Sequence, residues 1–341
     1  MIREGKTPKI ICCLCRSQFA ARHPVAEYIG GLLEEKRSLG YAYVFEEYLL
    51  NEFDSYCVEN GLSGPCFTRD FLSGWLSARN GEGPSYHSQR ISFVRQLSLY
   101  MNSLGISAYV PVETVKQERI VPHFLNRDER VSFFQALDRA EPRVPAAYAW
   151  RMWNEYRVIF RLLYCCGMRN SEACCLRPGD IDLAGGKLMV IHSKGDKDRV
   201  VYMSDDLRIL LAQYWDYLVR ELGGAPPWFF PSKFPEKHVH KANLCRQFNK
   251  AWEMTPYAAS CARKPTVHCL RHSYVVDRMN AWAREGVSYG QMLPYLSKHL
   301  GHSGVGESLY YFHLSEEANS LIREKDRTVG RVIPGVEKYA K

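Results

Sequence analysis

The chain has 341 residues, 46% of them apolar and 24% charged. This composition is ordinary for a globular protein and leaves room for one large domain or two smaller ones. Its 45 lysines and arginines outnumber 37 aspartates and glutamates, and the formal net charge of +8 modestly favours a polyanionic partner. No apolar run is long enough to span a membrane, and the apolar patch Ile10–Leu14 is too short for a signal peptide. We therefore expect a cytoplasmic protein without a membrane partner.

The first 21 residues are predicted to form a cysteine-containing arm. Cys12, Cys13 and Cys15, together with His23, include a C-x-x-C spacing that a zinc site would use. A closed zinc site needs four ligands, and no second C-x-x-C or paired histidine follows nearby. The preferred interpretation is an irregular segment without a metal, whose role stays open.

Residues 22–110 are predicted to form a compact helical unit without strands. Apolar residues recur at helical spacing over Val25–Leu39 and again over Phe45–Cys57. Thr68 is a candidate N-cap for a short third helix, and a long fourth helix carries the stripe Ile91–Leu104.

Residues 111–124, which contain two prolines and no helical stripe, are predicted to be an interdomain linker. The second domain, 125–341, begins with a capping box in which Asn126 is the N-cap and Glu129 reaches back to it. A hairpin is predicted in KLMVIHSKGDKDRVVYM, residues 187–203. Helices are predicted at 127–139, 151–165, 205–221, 242–253, 270–284 and 290–299, followed by a charged tail.

Four separated segments of this domain carry cationic and polar side chains. They are GMRNSEACCLRPGDID with Arg169, SKGDKDR with Lys194, HCLRHSY with His268 and Arg271, and LGHSGVGESLYYFH with His302, Tyr310 and Tyr311. Singly, each residue has an ordinary structural explanation: a solvated arginine, a turn lysine, a core tyrosine. Together they fit phosphodiester chemistry, because arginine forks bind phosphate oxygens, lysine and histidine donate protons, and a tyrosine hydroxyl attacks phosphorus.

These blocks and their order resemble the tyrosine recombinases, the phage integrase family. The matching motifs are G-M-R-N-S-E-A-C-C-L with D-I-D, K-G-D-K-D-R, H-C-L-R-H, and L-G-H-S followed by a Y-x-H ending. The helical unit 22–110 is similar to the family's core-binding, SAM-like DNA-binding domain by helix pattern alone. The resemblance implies a mainly α fold with a small β-sheet or hairpin, in which a helical core-binding domain precedes a mixed α/β catalytic domain.

The resemblance also implies roles for individual residues. Arg169 and Arg271 correspond to the two arginines that clamp the scissile phosphate. Lys194 matches the hairpin lysine that protonates the departing 5′ oxygen, with Lys197 as its rival in the same turn. His268 and His302 match histidines that contact the phosphate. Glu172 is expected to support Arg169, whereas His272 is expected to be structural and His299 has no evident role.

Counting in the family pattern selects one of the two tyrosines as the nucleophile. The nucleophile lies nine residues after the histidine of Leu-Gly-His and two before a closing histidine, and both counts reach Tyr311. Neighbouring helical residues point about 100° apart, so Tyr310 cannot face the same phosphate.

The implied activity is site-specific DNA recombination without metal or cofactor, through a 3′-phosphotyrosyl intermediate and a Holliday junction. Integration or excision of a mobile element is the preferred role. The implied partners are double-stranded DNA sites and a homotetramer across two of them, with the tail 315–341 docking on a neighbouring subunit or packing on its own domain. A type IB topoisomerase and an inactive DNA-binding accessory protein remain the alternatives.

Overall fold

The fold is described from a computed structural model, which covers residues 23–116, 123–142, 144–191, 198–302 and 304–311. The chain divides into two compact units, Met1–Ile120 and Val121–Lys341. In the described ranges no helix has the length and apolar character that a membrane crossing requires. The predicted cysteine-containing arm lies outside the described residues.

The first unit contains four described helices: α1 (Ala26–Ser38), α2 (Val44–Glu59), α3 (Arg69–Leu76) and α4 (Pro84–Ser103). Each corresponds to one of the four predicted helices. Thr68 caps α3, since its hydroxyl accepts a hydrogen bond from the Phe71 N–H. Apolar residues at helical spacing, such as Ile29, Leu32 and Leu33 of α1, are buried in a shared core.

One buried ion pair joins the loop before α4 to that helix. The Arg90 guanidinium donates to both carboxylate oxygens of Glu82 at 2.8 and 2.9 Å, and their side chains are 0% and 4% exposed. Arg90 also donates to the carbonyls of Trp75 and Ser77. Because a buried charge is tolerated only when paired, this pair fixes the loop on the core.

The second unit is also mainly helical. Its longer helices are α5 (Arg127–Arg139), α6 (Ala147–Cys166), α8 (Asp205–Leu222), α9 (Lys241–Glu253), α10 (His268–Glu285) and α11 (Tyr289–Leu300). Two five-residue helices, α7 (Asn170–Cys174) and α12 (Val305–Leu309), lie beside the predicted site residues. The capping box of α5 is confirmed: the Asn126 side chain accepts from the Glu129 N–H, and Glu129 accepts from the Asn126 N–H.

The predicted hairpin is part of a three-stranded antiparallel sheet in the order β1 (Ile181–Asp182), β2 (Lys187–Val190) and β3 (Arg199–Tyr202). Residues alternate between buried and exposed along β3, which places Arg199 on the inner face. The prediction of a mainly α fold with a small β-sheet is confirmed.

Two groups of buried apolar side chains organise the second unit. The larger involves α5 to α10 and the sheet, with Phe133, Phe160 and Phe248 among its fully buried rings. The smaller is formed by α10 and α11, and it includes Tyr311. The ring of Tyr311 is thus a component of a hydrophobic core, and this core fixes its position relative to α10.

Candidate active site

Two glycines bring backbone carbonyls to the centre of the site. Gly167 ends α6 with φ +59°, and a Cβ there would lie 2.5 Å from the Tyr274 ring. Gly301 ends α11 with φ +66°, and a Cβ there would lie 3.0 Å from Nη1 of Arg199. Both positions need the left-handed conformation that glycine adopts without strain. The carboxyl ends of two helices therefore present partly negative carbonyls toward arginines.

Arg271, in the first turn of α10, is held by these helix ends. Its Nη1 donates to the Gly167 carbonyl at 2.8 Å and its Nη2 to the Leu300 carbonyl at 2.7 Å. The residue is 2% exposed. Burial, and then the nearby charge of Arg169, lower the pKa of Arg271 to about 10, so it stays a cation at neutral pH. A guanidinium has five N–H donors, so these two bonds do not exhaust its capacity.

Arg169 precedes α7 and is tied to Glu172 and to the other helix end. Its Nη1 donates to Glu172 Oε1 at 2.9 Å and its Nη2 to the Gly301 carbonyl at 2.9 Å. The backbone N–H of Arg169 donates to Glu172 Oε2 at 2.8 Å, which caps α7. With a side chain 22% exposed, Arg169 is the more accessible of the two proposed phosphate-binding arginines.

A third arginine, Arg199 of β3, shares the same carboxylate. It donates through both terminal nitrogens to Glu172, at 2.9 and 2.7 Å, and through Nε to the His299 carbonyl at 2.7 Å. Burial alone would raise the pKa of Glu172, but the hydrogen bonds and charge of Arg199, together with those of Arg169, outweigh it. The pKa of Glu172 is therefore lowered, and one carboxylate fixes two cations.

His268 and His302 border these arginines and are held neutral. Partial burial, and then the charges of Arg271 and Arg169, lower the pKa of His268, which is the first residue of α10. Burial and the charge of Arg271 lower the pKa of His302 to about 4. His302 Nδ1 lies 2.8 Å from the buried hydroxyl of Ser308 in α12. Neutral imidazoles at both places can hydrogen-bond to a phosphate oxygen.

Tyr311 lies next to the arginine and histidine cluster, and its hydroxyl contacts a histidine. The residue is 6% exposed, and its oxygen lies 2.7 Å from Nδ1 of His272. Burial raises the pKa of Tyr311, although the nearby charge of Arg271 acts in the opposite direction. Tyr310, by contrast, is 41% exposed.

The remaining residues named from the sequence are placed as follows. Lys194 and Lys197, the two candidate general acids, lie outside the described residues, as do the closing His313 and the tail 315–341. His299, which had no evident role, has a structural one. Its Nε2 lies 3.0 Å from the Cys166 carbonyl oxygen, and its backbone carbonyl accepts a hydrogen bond from Nε of Arg199.

Sequence similarity connects this chain to a known protein family. The model of the phage integrase family matches residues 124–318, more than half of the chain.

The chain belongs to the phage integrase family.

This membership makes it a tyrosine recombinase, the enzyme class expected from the four sequence motifs. A putative integrase/recombinase, y4rB, of Sinorhizobium fredii is 25% identical over 91% of this chain and 97% of its own length. A tyrosine recombinase of Thermosipho africanus is 28% identical over 73% of this chain and 79% of its own length. A solved lambda integrase tetramer bound to a Holliday junction is 15% identical with a TM-score of 0.59, over 87% of this chain and 80% of that one. The last comparison shows a shared fold.

Two residues of this recombinase have a place in the site that the sequence did not reveal. Arg199 is the last residue of the K-G-D-K-D-R motif but has no role among the expectations from the sequence, and His272 was expected to be structural. For His272 a local signal existed, because it lies four residues after His268 and so on the same face of α10. The strand sequence R-V-V-Y does not alternate between polar and apolar residues, so it gave no sign that Arg199 faces inward; the burial pattern of β3 shows it.

Proposed function

We propose that this recombinase is site-specific and cleaves DNA through Tyr311. The observation that carries the proposal is the position of the Tyr311 hydroxyl, 2.7 Å from a residue of α10 that directly follows Arg271. The positive charge of Arg271 acts to lower the pKa of Tyr311, and the positive charge of Arg169 acts to lower the pKa of His268 and of His302. A nucleophile, two arginines and two neutral histidines therefore belong to one cluster.

Each proposed role follows from the chemistry of transferring a phosphodiester. Arg169 and Arg271 bind the non-bridging oxygens, and their fixed charges stabilise the extra negative charge of the transition state. His268 and His302 donate hydrogen bonds to the same oxygens, and Lys194 protonates the departing 5′ oxygen. Glu172 keeps Arg169 in place. Because folding already fixes these cations through carbonyls and a carboxylate, little reorganisation is needed when DNA binds.

The proposed reaction proceeds in two strand exchanges. The Tyr311 oxygen forms a bond to phosphorus, the bond to the 5′ oxygen breaks, and a 3′-phosphotyrosyl link and a free 5′ hydroxyl result. The 5′ hydroxyl of a partner strand then reverses this step, and two rounds pass through a Holliday junction. The fold shared with the lambda integrase tetramer on a Holliday junction supports a homotetramer on two duplex sites.

The domain arrangement is proposed on the same grounds. The helical residues 22–110 would bind DNA as the core-binding domain, and 125–341 would form the catalytic domain, with 111–124 as the linker. The formal charge of +8 favours contacts to phosphates, so affinity for DNA should fall steeply with added salt. Integration or excision of a mobile element is the preferred biological role.

The experiment that tests the proposal is covalent trapping. The protein is incubated with nicked duplexes that tile the DNA flanking its gene, and adducts are resolved on denaturing gels. We expect an adduct with wild type and with Tyr310→Phe, and none with Tyr311→Phe, which should still shift the duplex in a binding assay. A Tyr311→Phe protein that still forms the adduct would overturn the assignment of the nucleophile.

A further inference from the structure

The contact between His272 and Tyr311 has no part in the roles assigned so far. Nδ1 of His272 lies 2.7 Å from the Tyr311 oxygen, and the two rings are 5.4 Å apart at 40°. Among the described residues, this is the histidine nitrogen that comes within hydrogen-bond distance of that oxygen. The contact spans 39 residues of sequence, so the tertiary fold creates it.

The surroundings of His272 keep its imidazole neutral. The His268 ring stands edge-on to the His272 ring at 4.5 Å, and Arg271 precedes it in the helix. Burial, followed by the proximity of His268 and Arg271, lowers the pKa of His272 to about 3. The imidazole is therefore neutral and has one acceptor nitrogen. When that nitrogen is Nδ1, the Tyr311 hydroxyl donates to it, and its oxygen lone pairs are left to face a phosphorus atom.

We propose that His272 is a further catalytic residue, which orients the Tyr311 hydroxyl and accepts its proton as the oxygen attacks phosphorus. The proposal rests on the proposed function of Tyr311. In the forward step the O–H bond of Tyr311 breaks, its proton moves to His272 Nδ1, and the O–P bond forms. The P–O5′ bond breaks, and the 5′ oxygen takes a proton from Lys194. Religation returns both protons.

The electrostatics of the bound state favour this transfer. The cations around the free site oppose a protonated His272, but a bound phosphodiester brings a negative charge that offsets them. The phenol also becomes more acidic as its oxygen bonds to phosphorus, so the proton moves during the attack rather than before it. A base in direct contact with the nucleophile is the arrangement that activates hydroxyl groups in other enzymes.

Three substitutions separate this role from simple packing. The side-chain amide of His272→Asn lies near the place of Nδ1, whereas that of His272→Gln reaches the place of Nε2. His272→Phe keeps a ring against Tyr311 but has no acceptor. We expect cleavage to slow by about 100-fold or more in the Gln and Phe variants, and by less in the Asn variant. Thermal unfolding of each variant controls for loss of the fold.

A modified substrate distinguishes action on the nucleophile from action on the leaving group. The probe is a nicked duplex with sulfur in place of the 5′ bridging oxygen, since a thiolate departs without a proton. We expect this duplex to restore cleavage by Lys194→Ala but to leave His272→Gln slow. Equal restoration of both variants would place His272 at the leaving group and overturn the proposal.

Two further outcomes are distinguishable. Wild-type cleavage rates in His272→Gln and His272→Phe, with ordinary DNA, would contradict the role of His272 alone and leave Tyr311 as nucleophile. A wild-type protein that forms no adduct with any of the duplexes would contradict the proposed function and, with it, this inference. The contact itself is tested without DNA: the nitrogen-15 signal of His272 Nδ1 should shift in Tyr311→Phe, and an unchanged signal would refute the hydrogen bond.

Discussion

Replacing Glu172 by glutamine tests the idea that one carboxylate fixes two arginines. The carboxylate accepts four hydrogen bonds: two from Arg199 at 2.9 and 2.7 Å, one from the Arg169 side chain at 2.9 Å, and one from the Arg169 backbone at 2.8 Å. The side chains of Glu172 and Arg199 are 5% and 4% exposed. Glu172→Gln keeps the shape but turns one oxygen into an NH₂ group that faces the N–H donors.

The magnitude follows from the contacts that are lost. Glutamine keeps one acceptor oxygen, so two of the four bonds are removed, and a hydrogen bond to a charged group contributes about 1.5–3 kcal/mol. The 22% exposed Arg169 can turn toward water and recover part of this loss. Breaking a buried ion pair lowers the free energy of unfolding by about 3–5 kcal/mol. For Glu172→Gln we expect a loss of about 3 kcal/mol. For a domain of this size that corresponds to a fall in Tm of about 6–12 °C.

The assay is thermal unfolding, with Glu253→Gln as the matched control. Glu253 pairs with Lys264 at 2.5 Å in the same unit, but its side chain is 60% exposed, so its replacement should change Tm little. The folded pKa of Glu172 is lowered, so its contribution is present above the unfolded pKa and is lost as the pH falls through the folded pKa. The difference in Tm between wild type and Glu172→Gln should therefore become smaller below about pH 4.3. Equal Tm values for the two Gln variants at neutral pH would refute the reasoning.

Three further predictions concern stability. Glu82→Gln leaves Arg90 buried without its counterion and should destabilise the first unit by about 3 kcal/mol in denaturant unfolding; an unchanged midpoint would contradict it. Gly167→Ala should lower the free energy of unfolding by about 2 kcal/mol more than Gly223→Ala. Both glycines have positive φ, but only at Gly167 would the new Cβ meet an aromatic ring. Equal midpoints of denaturant unfolding for the two variants would count against this close approach. The pKa of His302 is lowered to about 4, so the unfolded state takes up its proton first. Stability should therefore fall as the pH drops from about 6.5 toward 4, by at most about 1.4 kcal/mol per pH unit, and the slope should be smaller in His302→Asn.

The helices could be predicted from the sequence because their signals are local. Apolar stripes located α1, α2 and α4, the N-cap Thr68 located α3, and the capping box of Asn126 and Glu129 located the start of α5. The strand β1 was missed, since the two residues Ile181–Asp182 are too short for an alternating pattern.

The contacts within the candidate site could not be predicted, because they join distant parts of the chain. Glu172 meets Arg199 across 27 residues, and Arg199 meets the His299 carbonyl across 100. The motifs named Glu172 as a support for Arg169, but nothing in the sequence indicated that it would hold a second arginine as well. The carbonyls that hold Arg271 depend on where α6 and α11 end, and this is decided by tertiary packing.

The ring of Tyr311 is part of the same small core as side chains of α10, the helix that carries Arg271. A protomer arranged in this way cannot lend Tyr311, the proposed nucleophile, to another without unpacking that core. In the proposed assembly on DNA, each subunit would then cleave with its own Tyr311 and its own Arg271. Mixing Tyr311→Phe subunits with Arg271→Ala subunits should not restore cleavage, because neither protomer holds both groups.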